Sequence, residues 1–319
     1  MVLIVAEHSD GQLRKSALEA VTAGTRLASE LGTQPVALIM GRDVSDLAQE
    51  LAGYVEDVRV VEDDALGDVR AQTWTAVITA VAQEIGAMAV VFSAGRVGLS
   101  VAPRVAVRLD APLLESVNKL EVEGEDVVAT RLSYLSRVTE RVRAKRLPVV
   151  VSVTLNVMPL PEGGVSGSVQ PVSVDIPEGD QVVSVGERSL PEGGRVQLEE
   201  AKTVVAGGRG VGGPDGFDNH IEPLAEALGA AIASTRAVVD AGWREHEEQV
   251  GQTGKSVSPD LYFALGISGA VQHLSGMNRS RVIVAINKDG DAPIFKSADY
   301  GIVDDLGKVV PEIVKVLKR

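Results

Sequence analysis

The chain contains no cysteine in 319 residues. That absence excludes disulfides, thiolate-bound metals, iron–sulfur ligation and a cysteine nucleophile together. Histidine is scarce as well. The four present, His8, His220, His246 and His273, fall in no HExxH or similar paired spacing, so a histidine-built metal centre is not expected. Also missing is any run of about eighteen apolar residues, the length a membrane-spanning helix needs. The opening MVLIVAEHSDG has no basic segment ahead of its apolar run. It reads as a first strand and not as a secretory leader, so a cytoplasmic location is expected if the protein is bacterial. Excess positive charge is lacking too. The net charge is −13, of which residues 1–200 carry −11 (18 basic, 29 acidic) and residues 201–319 carry −2 (13 basic, 15 acidic). An acidic first half argues against general nucleic-acid binding, which needs a basic face.

What is present is a globular composition, 45% hydrophobic and 24% charged, in a length that suits two domains. In the first half, short β-branched runs alternate with helical spacing. Residues 2–7 (VLIVAE), 35–40 (PVALIM), 55–61 and 87–92 (AMAVVF) read as buried strands. Leu18, Val21, Leu27 and Leu31 suit a helix, as do Trp74, Val77, Ile78, Val81 and Ile85 with Gly86 as its stop. Strand–helix alternation predicts a parallel sheet. From about Ala111 the pattern changes to strands without regular helices between them, at 120–123, 127–132 and 149–157.

Residues 159–196 are rich in Pro, Gly, Ser and Glu and read as linker. They contain PEGG twice, at Pro161–Gly164 and Pro191–Gly194, as a repeated turn. The expected domains are therefore 1–195, an N-terminal α/β domain with the linker at its end, and 196–319, a second α/β domain. The latter has strands at 203–206, 261–267 and 282–286, a helix through Ile221, Leu224, Ala225 and Leu228, and a final helix through Val309, Val310, Ile313, Val316 and Leu317.

Several motifs invite a nucleotide. Gly208, Gly210 and Gly213 fit GxGxxG after a strand. A dinucleotide site needs its helix to begin inside that loop. Here Pro214, Asp215 and Gly216 intervene, the helix is expected only from near Asn219, and Ala233 stands where an acid would be needed. A strand-end turn, or a nucleotide contact by Arg209, fits better. Residues 251–256 (GQTGKS) resemble a phosphate loop, but Gln249 occupies the first glycine position and Glu245–Glu248 lead in without a strand. What remains is a polar loop offering Gln252, Thr253 and Lys255. In ISGAVQ, Ser268 suits a helix N-cap and Gly269 spares bulk for a ligand, which leaves either a capped helix or an anion site. His273, Arg236, Asp304 and Asp305 each read, taken alone, as ordinary surface or core residues.

Taken in order the segments are more specific. The chain reads VVAGGRG (204–210), STRAVVDAGW (234–243), VGQTGKSVSPDLYFALGISGAVQHLSGM (250–277) and VIVAINKDGDAPIFKSADYGIVDDL (282–306). This series resembles the FAD domain of electron transfer flavoprotein alpha subunits over roughly the last 115 residues. SAGRVGLSVAPRVAVRLDAP (93–112) extends the resemblance more loosely into the first half. The fold it implies is a parallel-sheet, nucleotide-binding-like N-terminal domain that contacts another subunit, followed by a doubly wound FAD-binding domain.

The resemblance also implies roles. Arg209 matches a cofactor-contacting arginine, and Arg236, preceded by Thr235, matches the arginine packed on the flavin ring. Val250, Gly251, Gln252 and Thr253 match the loop that meets the ring, with Thr253 toward N5 and O4. Ser268, Gly269, Ala270, Val271, Gln272 and His273 match the segment that cradles the pyrophosphate and ends with a histidine donor near O2. Asn287, Asp305 and Leu306 match the adenosine end. Two departures stand out: Thr235 where serine is usual, and Gly307 where phenylalanine is usual.

Such a protein carries electrons and turns over no substrate of its own, so no nucleophile or general base is needed. The cofactor supplies the redox chemistry and the protein sets position and electrostatics. Its expected partners are a beta subunit holding AMP, flavin dehydrogenases such as acyl-CoA dehydrogenases, and a quinone oxidoreductase or another acceptor. Two alternatives stay open. One is a bifurcating or nitrogen-fixation-linked system whose beta subunit holds a second FAD. The other is a non-redox regulatory module binding adenine nucleotide on the N-terminal sheet.

Overall fold

The structure is a computed structural model that describes residues 1–9, 11–180, 182–186 and 198–318. The described residues divide into two compact units, one within Met1–Ser133 and Thr139–Leu190, the other within Tyr134–Val138 and Pro191–Arg319. The expected boundary between residues 195 and 196, and the second PEGG, lie outside the described residues.

The first unit is built on a nine-stranded sheet. Its order is Ser168–Pro171, Asp57–Glu62, Pro35–Gly41, Val2–Val5, Ala89–Ser93, Val149–Val153, Leu113–Glu123, Asp126–Ser133 and Val138–Ala144. The central strands are parallel and apolar at consecutive positions because both faces are covered. Val2 and Ile4 join the core under helices Lys15–Glu30 and Ser45–Leu51. Leu3 and Val5 join the core under Ala71–Glu84 and Arg96–Arg108. The change of pattern after Ala111 is an antiparallel pairing of Leu113–Glu123 with Asp126–Ser133 at one side of the sheet.

Two regions differ from the sequence reading. The stretch from residue 159 is not linker over its first part. Pro159 accepts from Thr22 Oγ1 at 2.7 Å, Gly164 and Val165 donate to Gly53 O, and Ser168–Pro171 adds a parallel edge strand to Asp57–Glu62. Ile176 is buried in the core. Backbone pairing, which composition does not report, holds this Pro- and Gly-rich segment in place. The second is helix Arg96–Arg108, which Pro103 and three arginines conceal. Its buried residues, Gly98, Val101, Ala102, Val105 and Ala106, show the helical period.

The second unit carries a five-stranded sheet, parallel throughout, ordered Ala231–Ser234, Thr203–Gly207, Leu261–Leu265, Val282–Asn287 and Tyr300–Val303. The two faces are separate cores, which makes the unit doubly wound. Val204, Ala206, Tyr262 and Ala264 pack with Val250, Ile267, Met277 and Ile294. Val205, Phe263 and Leu265 pack with Phe217, Ile221 and Leu224 and with Leu306 and Val310 of the final helix Leu306–Leu317.

The helical stretch after the glycine-rich turn begins at Pro214, directly after Gly213, and not near Asn219. Proline at a first helical position needs no amide partner, so it starts a helix as readily as it stops one. The outer strands Ala231–Ser234 and Tyr300–Val303 had no clear strand signature. Tyr300–Val303 is exposed along its whole length at a sheet edge, and Gly301 in it faces Phe295 closely. Among the described residues, no helix is long and apolar enough to cross a membrane.

Candidate functional site

Thr203–Gly207 and Leu261–Leu265 lie side by side, although the chain visits Ala231–Ser234 between them. The connections leave in opposite directions there. At such a switch point the carboxyl ends of the strands open a crevice for ligands. The site residues implied by the resemblance stand at those strand ends, in the loops that follow them, or in the first turns of helices Arg236–Val239, Val271–Met277 and Leu306–Leu317.

The glycines of the GxGxxG turn shape this edge from within. Gly208 and Gly210 have no room for a Cβ because each packs on the backbone of Gly266, and Gly210 N donates to Gly266 O at 2.9 Å. Their smallness serves strand-end packing. Arg209, carried between them, is exposed; its carbonyl accepts from Gly212 N, and among the described residues its guanidinium has no hydrogen-bond or ion-pair partner.

The segment Gln249–Lys255 is held at several points. Val250 N donates to Ser234 O at 3.0 Å, Gln252 N to Gln272 O at 2.7 Å, and Lys255 N to Gln249 O at 2.7 Å. Gly251 adopts φ +142°, and a side chain there would meet Gln272 O and His273 Cα. Gln249, 2% exposed and not foreseen as functional, donates from Nε2 to Thr253 Oγ1 at 3.0 Å. That bond occupies a lone pair of the threonine and leaves its hydroxyl hydrogen for a ligand acceptor. No helix follows Gly254, so the segment is not a phosphate loop.

The helix expected from Ser268 begins at Val271, with Ala270 as its N-cap and no side-chain cap bond. Ser268 is exposed and its carbonyl accepts from Ile294 N at 3.0 Å, so its backbone is committed to the Pro293–Lys296 turn. Gly269, at φ +86°, has the Ile294 backbone where a Cβ would be. The chain's own packing is enough to demand glycine there. Among the described residues the amides of Gly269, Ala270, Val271 and Gln272 have no acceptor within the chain, which leaves a row of donors on this edge.

His273 is 6% exposed. Its Nδ1 lies 3.0 Å from Val250 O and its Nε2 lies 3.1 Å from the Tyr262 hydroxyl. Burial pushes its pKa down to about 4, against a smaller opposing effect of the Val250 carbonyl, so the ring is neutral at physiological pH. Both ring nitrogens of His273 are thus within hydrogen-bond distance of partners inside the chain. Arg236 is two-thirds exposed and pairs with Asp240 at 3.4 Å in a short helix capped by Thr235, whose amide donates to Gly207 O.

At the far end, Asn287 donates to Ile267 O at 2.9 Å and accepts from Asp289 N at 3.0 Å. Asp305 caps the final helix through Gly307 N at 2.7 Å and pairs with Lys288 at 2.7 Å, and Leu306 is buried behind it. The Lys288 ammonium and the Gly307 amide hold the Asp305 pKa below the usual carboxylate range. Each carboxylate oxygen keeps a lone pair for a hydroxyl donor. A Cβ at Gly307 would lie 3.1 Å from Asp305 Oδ1 and 3.8 Å from His220 Cε1, so the missing side chain faces His220.

Free amides, an unpaired arginine, a threonine hydroxyl and a carboxylate along one crevice suit a dinucleotide with a diphosphate. Residues 2–177 match the electron transfer flavoprotein domain, and residues 197–278 match the electron transfer flavoprotein FAD-binding domain. The chain belongs to the electron transfer flavoprotein alpha-subunit family. The electron transfer flavoprotein subunit alpha of Bacillus subtilis is 38% identical over all of this chain and 97% of its own length. That of Syntrophomonas wolfei is 39% identical over 99% and 98%, and the protein FixB of Clostridium saccharobutylicum is 36% identical over 100% and 96%.

The chain thus has the family's cofactor, FAD, and its place among electron carriers. The FAD-binding match stops at residue 278, before Asn287, Asp305 and Leu306, whereas the relatives align through the end of the chain. Sequence reasoning missed Tyr262, Gln249 and Lys288 as parts of this edge. Tyr262 reads as one more core aromatic in LYFAL, and only its hydroxyl hints otherwise.

Proposed function

We propose that the chain binds one FAD along the carboxyl edge of its second sheet, chiefly through residues 209–306, and serves as the alpha half of a two-subunit single-electron carrier. Bound FAD supplies the one-electron chemistry. The observation that carries the reading is the coupling of Val250–Thr253 to helix Val271–Met277 through Gln252 N–Gln272 O and His273–Val250 O, beside a row of unbonded amides. Those amides would take the pyrophosphate. The Thr253 hydroxyl would donate to the ring edge, and Val250 would exclude water from it. Arg236 would place its guanidinium near the charge that reduction adds, and Arg209 would meet the phosphates. Asp305 would accept from ribose hydroxyls and Asn287 would hold the adenosine end. The chain turns over no substrate of its own.

In this reading a beta subunit packs on the first unit and holds AMP, flavin dehydrogenases such as acyl-CoA dehydrogenases deliver electrons, and a quinone oxidoreductase or another acceptor removes them. One variant of this reading is a nitrogen-fixation-linked or bifurcating system with a second FAD in the beta subunit, and the presence of a FixB protein among the relatives is consistent with it. Purifying the chain with its partner and counting the cofactors released on denaturation tests both. One FAD with AMP supports the first form, and two FAD support the variant. A colourless complex without the flavin band near about 450 nm overturns the reading.

A further inference from the structure

Gln249 is an amide side chain sunk in the base of the loop that carries Thr253. It is 2% exposed, and its backbone is held on both sides. Gln249 N donates to His246 O at 3.0 Å, Gln249 O accepts from Lys255 N at 2.7 Å, and the residue bridges to Ser234 at the end of Ala231–Ser234. Gly254 closes over its stem. A Cβ there would lie 2.3 Å from Gln249 O and 2.9 Å from Gln249 Cγ, so the second glycine of GQTG is demanded by this packing. With the backbone fixed and the stem covered, the amide reaches Thr253, and Nε2 meets Oγ1 at 3.0 Å.

Methionine would fill the same space without burying an amide, which costs free energy unless it is bonded. Among the described residues the one side-chain partner of Gln249 is Thr253 Oγ1. The direction of that bond matters more than its strength. A hydroxyl has one proton and two lone pairs. With the Gln249 N–H on one lone pair, the proton stays free, and Thr253 is exposed, so it turns outward. The amide turned over, with Oε1 toward the hydroxyl, would draw the proton inward and leave only lone pairs outside. The two orientations present opposite polarities to a ligand.

We propose that Gln249 is a positioning residue of the cofactor site: its buried amide donates to Thr253 Oγ1, sets that hydroxyl as an outward donor, and so makes the site prefer a flavin N5 with a lone pair over one that carries a proton. The inference rests on the FAD reading given above. The Thr253 hydroxyl donates to a bare N5, whereas it faces a second donor once N5 is protonated. A first electron can be taken up without a proton, and the second arrives with one proton for N5. The fixed hydroxyl therefore opposes the second electron more than the first, which suits a carrier of single electrons. Without the Gln249 amide, the Thr253 proton can turn inward, and the preference is lost.

The bond is read directly in the full-length chain within its native complex, labelled with nitrogen-15 glutamine. The Gln249 side-chain amide is identified by its loss in Gln249→Met. In the wild type one Nε2 proton should show the downfield shift of a hydrogen bond, and Thr253→Val should remove that shift. Gln249→Met should raise the FAD dissociation constant about tenfold, as one buried hydrogen bond implies. It should also narrow the gap between the first and second one-electron midpoint potentials by about 60 mV, the equivalent of a tenfold loss of preference. In a Thr253→Val background, Gln249→Met should change neither quantity further, because it acts through the hydroxyl. A packing role alone would cost the same in both backgrounds. Unchanged Gln249 signals in Thr253→Val, or equal effects of Gln249→Met in the two backgrounds, overturn the proposal.

Should Gln249→Met fail to fold, the hydroxyl is varied instead. Thr253→Ser keeps Oγ and must keep a shifted glutamine amide signal that Thr253→Val loses, and identical glutamine spectra in the two overturn the proposal. The dissociation constant and the potentials depend on bound flavin, but the amide signal does not. A complex without flavin would refute the FAD reading while the glutamine spectra still decided whether Gln249 sets the Thr253 hydroxyl.

Discussion

The two sheets have the same kind of switch point and furnish it oppositely. In the first unit, Val2–Val5 and Ala89–Ser93 are neighbours although the chain visits Pro35–Gly41 and Asp57–Glu62 between them. Just beyond those strand ends stands Glu7, 3% exposed, accepting from Ser93 Oγ at 2.7 Å. In the second unit the corresponding edge carries Arg209, unbonded amides and a neutral, buried His273. A buried carboxylate disfavours a phosphate group, whereas donors and a guanidinium favour it. Topology therefore offers a crevice in both units, and the side chains placed in it decide which one suits an anionic dinucleotide.

Substitutions can break that contrast. The largest effect is expected at Gly269→Val, because φ +86° and the Ile294 backbone both oppose a side chain there. FAD occupancy after gel filtration should fall by more than about tenfold, and full occupancy would show that this segment does not build the site.

Next comes the pH dependence of His273. Its pKa of about 4 in the folded chain lies below the ordinary value of 6.5, so the unfolded chain binds more protons between them. Its contribution is complete above pH 6.5 and is lost as pH falls toward 4, amounting to up to about 3 kcal/mol. In urea titrations from pH 7 to 4, His273→Gln should lose less stability on acidification than the wild type. An identical slope would mean that the ring is not buried neutral.

At the first edge, Glu7→Ala should cost about 1–3 kcal/mol by removing a buried hydrogen-bonded group. The melting temperature should then drop by several degrees with FAD occupancy intact, and FAD loss on this substitution would collapse the distinction between the edges. A comparable fall is expected for Arg244→Gln. That guanidinium is 13% exposed, binds Glu248 at 2.6 and 2.8 Å and Glu222 at 3.0 Å, and lies over Phe217 at 5.2 Å. The two glutamates lower in energy its protonated form, and its loss leaves them facing one another. The smallest effect is expected at Arg236→Ala. Its side chain is exposed and shared with Asp240, so the flavin potential should fall by at most about 60 mV, the one-electron equivalent of a tenfold change. No shift in a redox titration would remove Arg236 from the ring.

Legibility in the sequence tracked how local the governing interaction is. The buried strands announced themselves by unbroken apolar runs, and Gly86 marked a helix end correctly because φ +60° is a local demand. The segment around Ser168–Pro171 did not, because its order comes from a backbone ladder with Asp57–Glu62, more than one hundred residues earlier in the chain. The same limit explains Ser268. Read locally it is a helix cap, yet the turn at Pro293–Ile294 claims its carbonyl and delays the helix to Val271.

Sequence alone determined that two α/β units follow one another, that cysteine chemistry is excluded, and, through the ordered segments from 204 to 306, which family's cofactor edge the second unit resembles. Apolar period and residue type are local properties of the chain, so they can be read in line. Only the tertiary structure decided that Gln249 supports Thr253, that Asp305 is shared between Gly307 and Lys288, and that both nitrogens of His273 lie within hydrogen-bond distance of Tyr262 and Val250. A hydrogen bond has direction and needs a partner at about 3 Å, and folding alone brings such partners together.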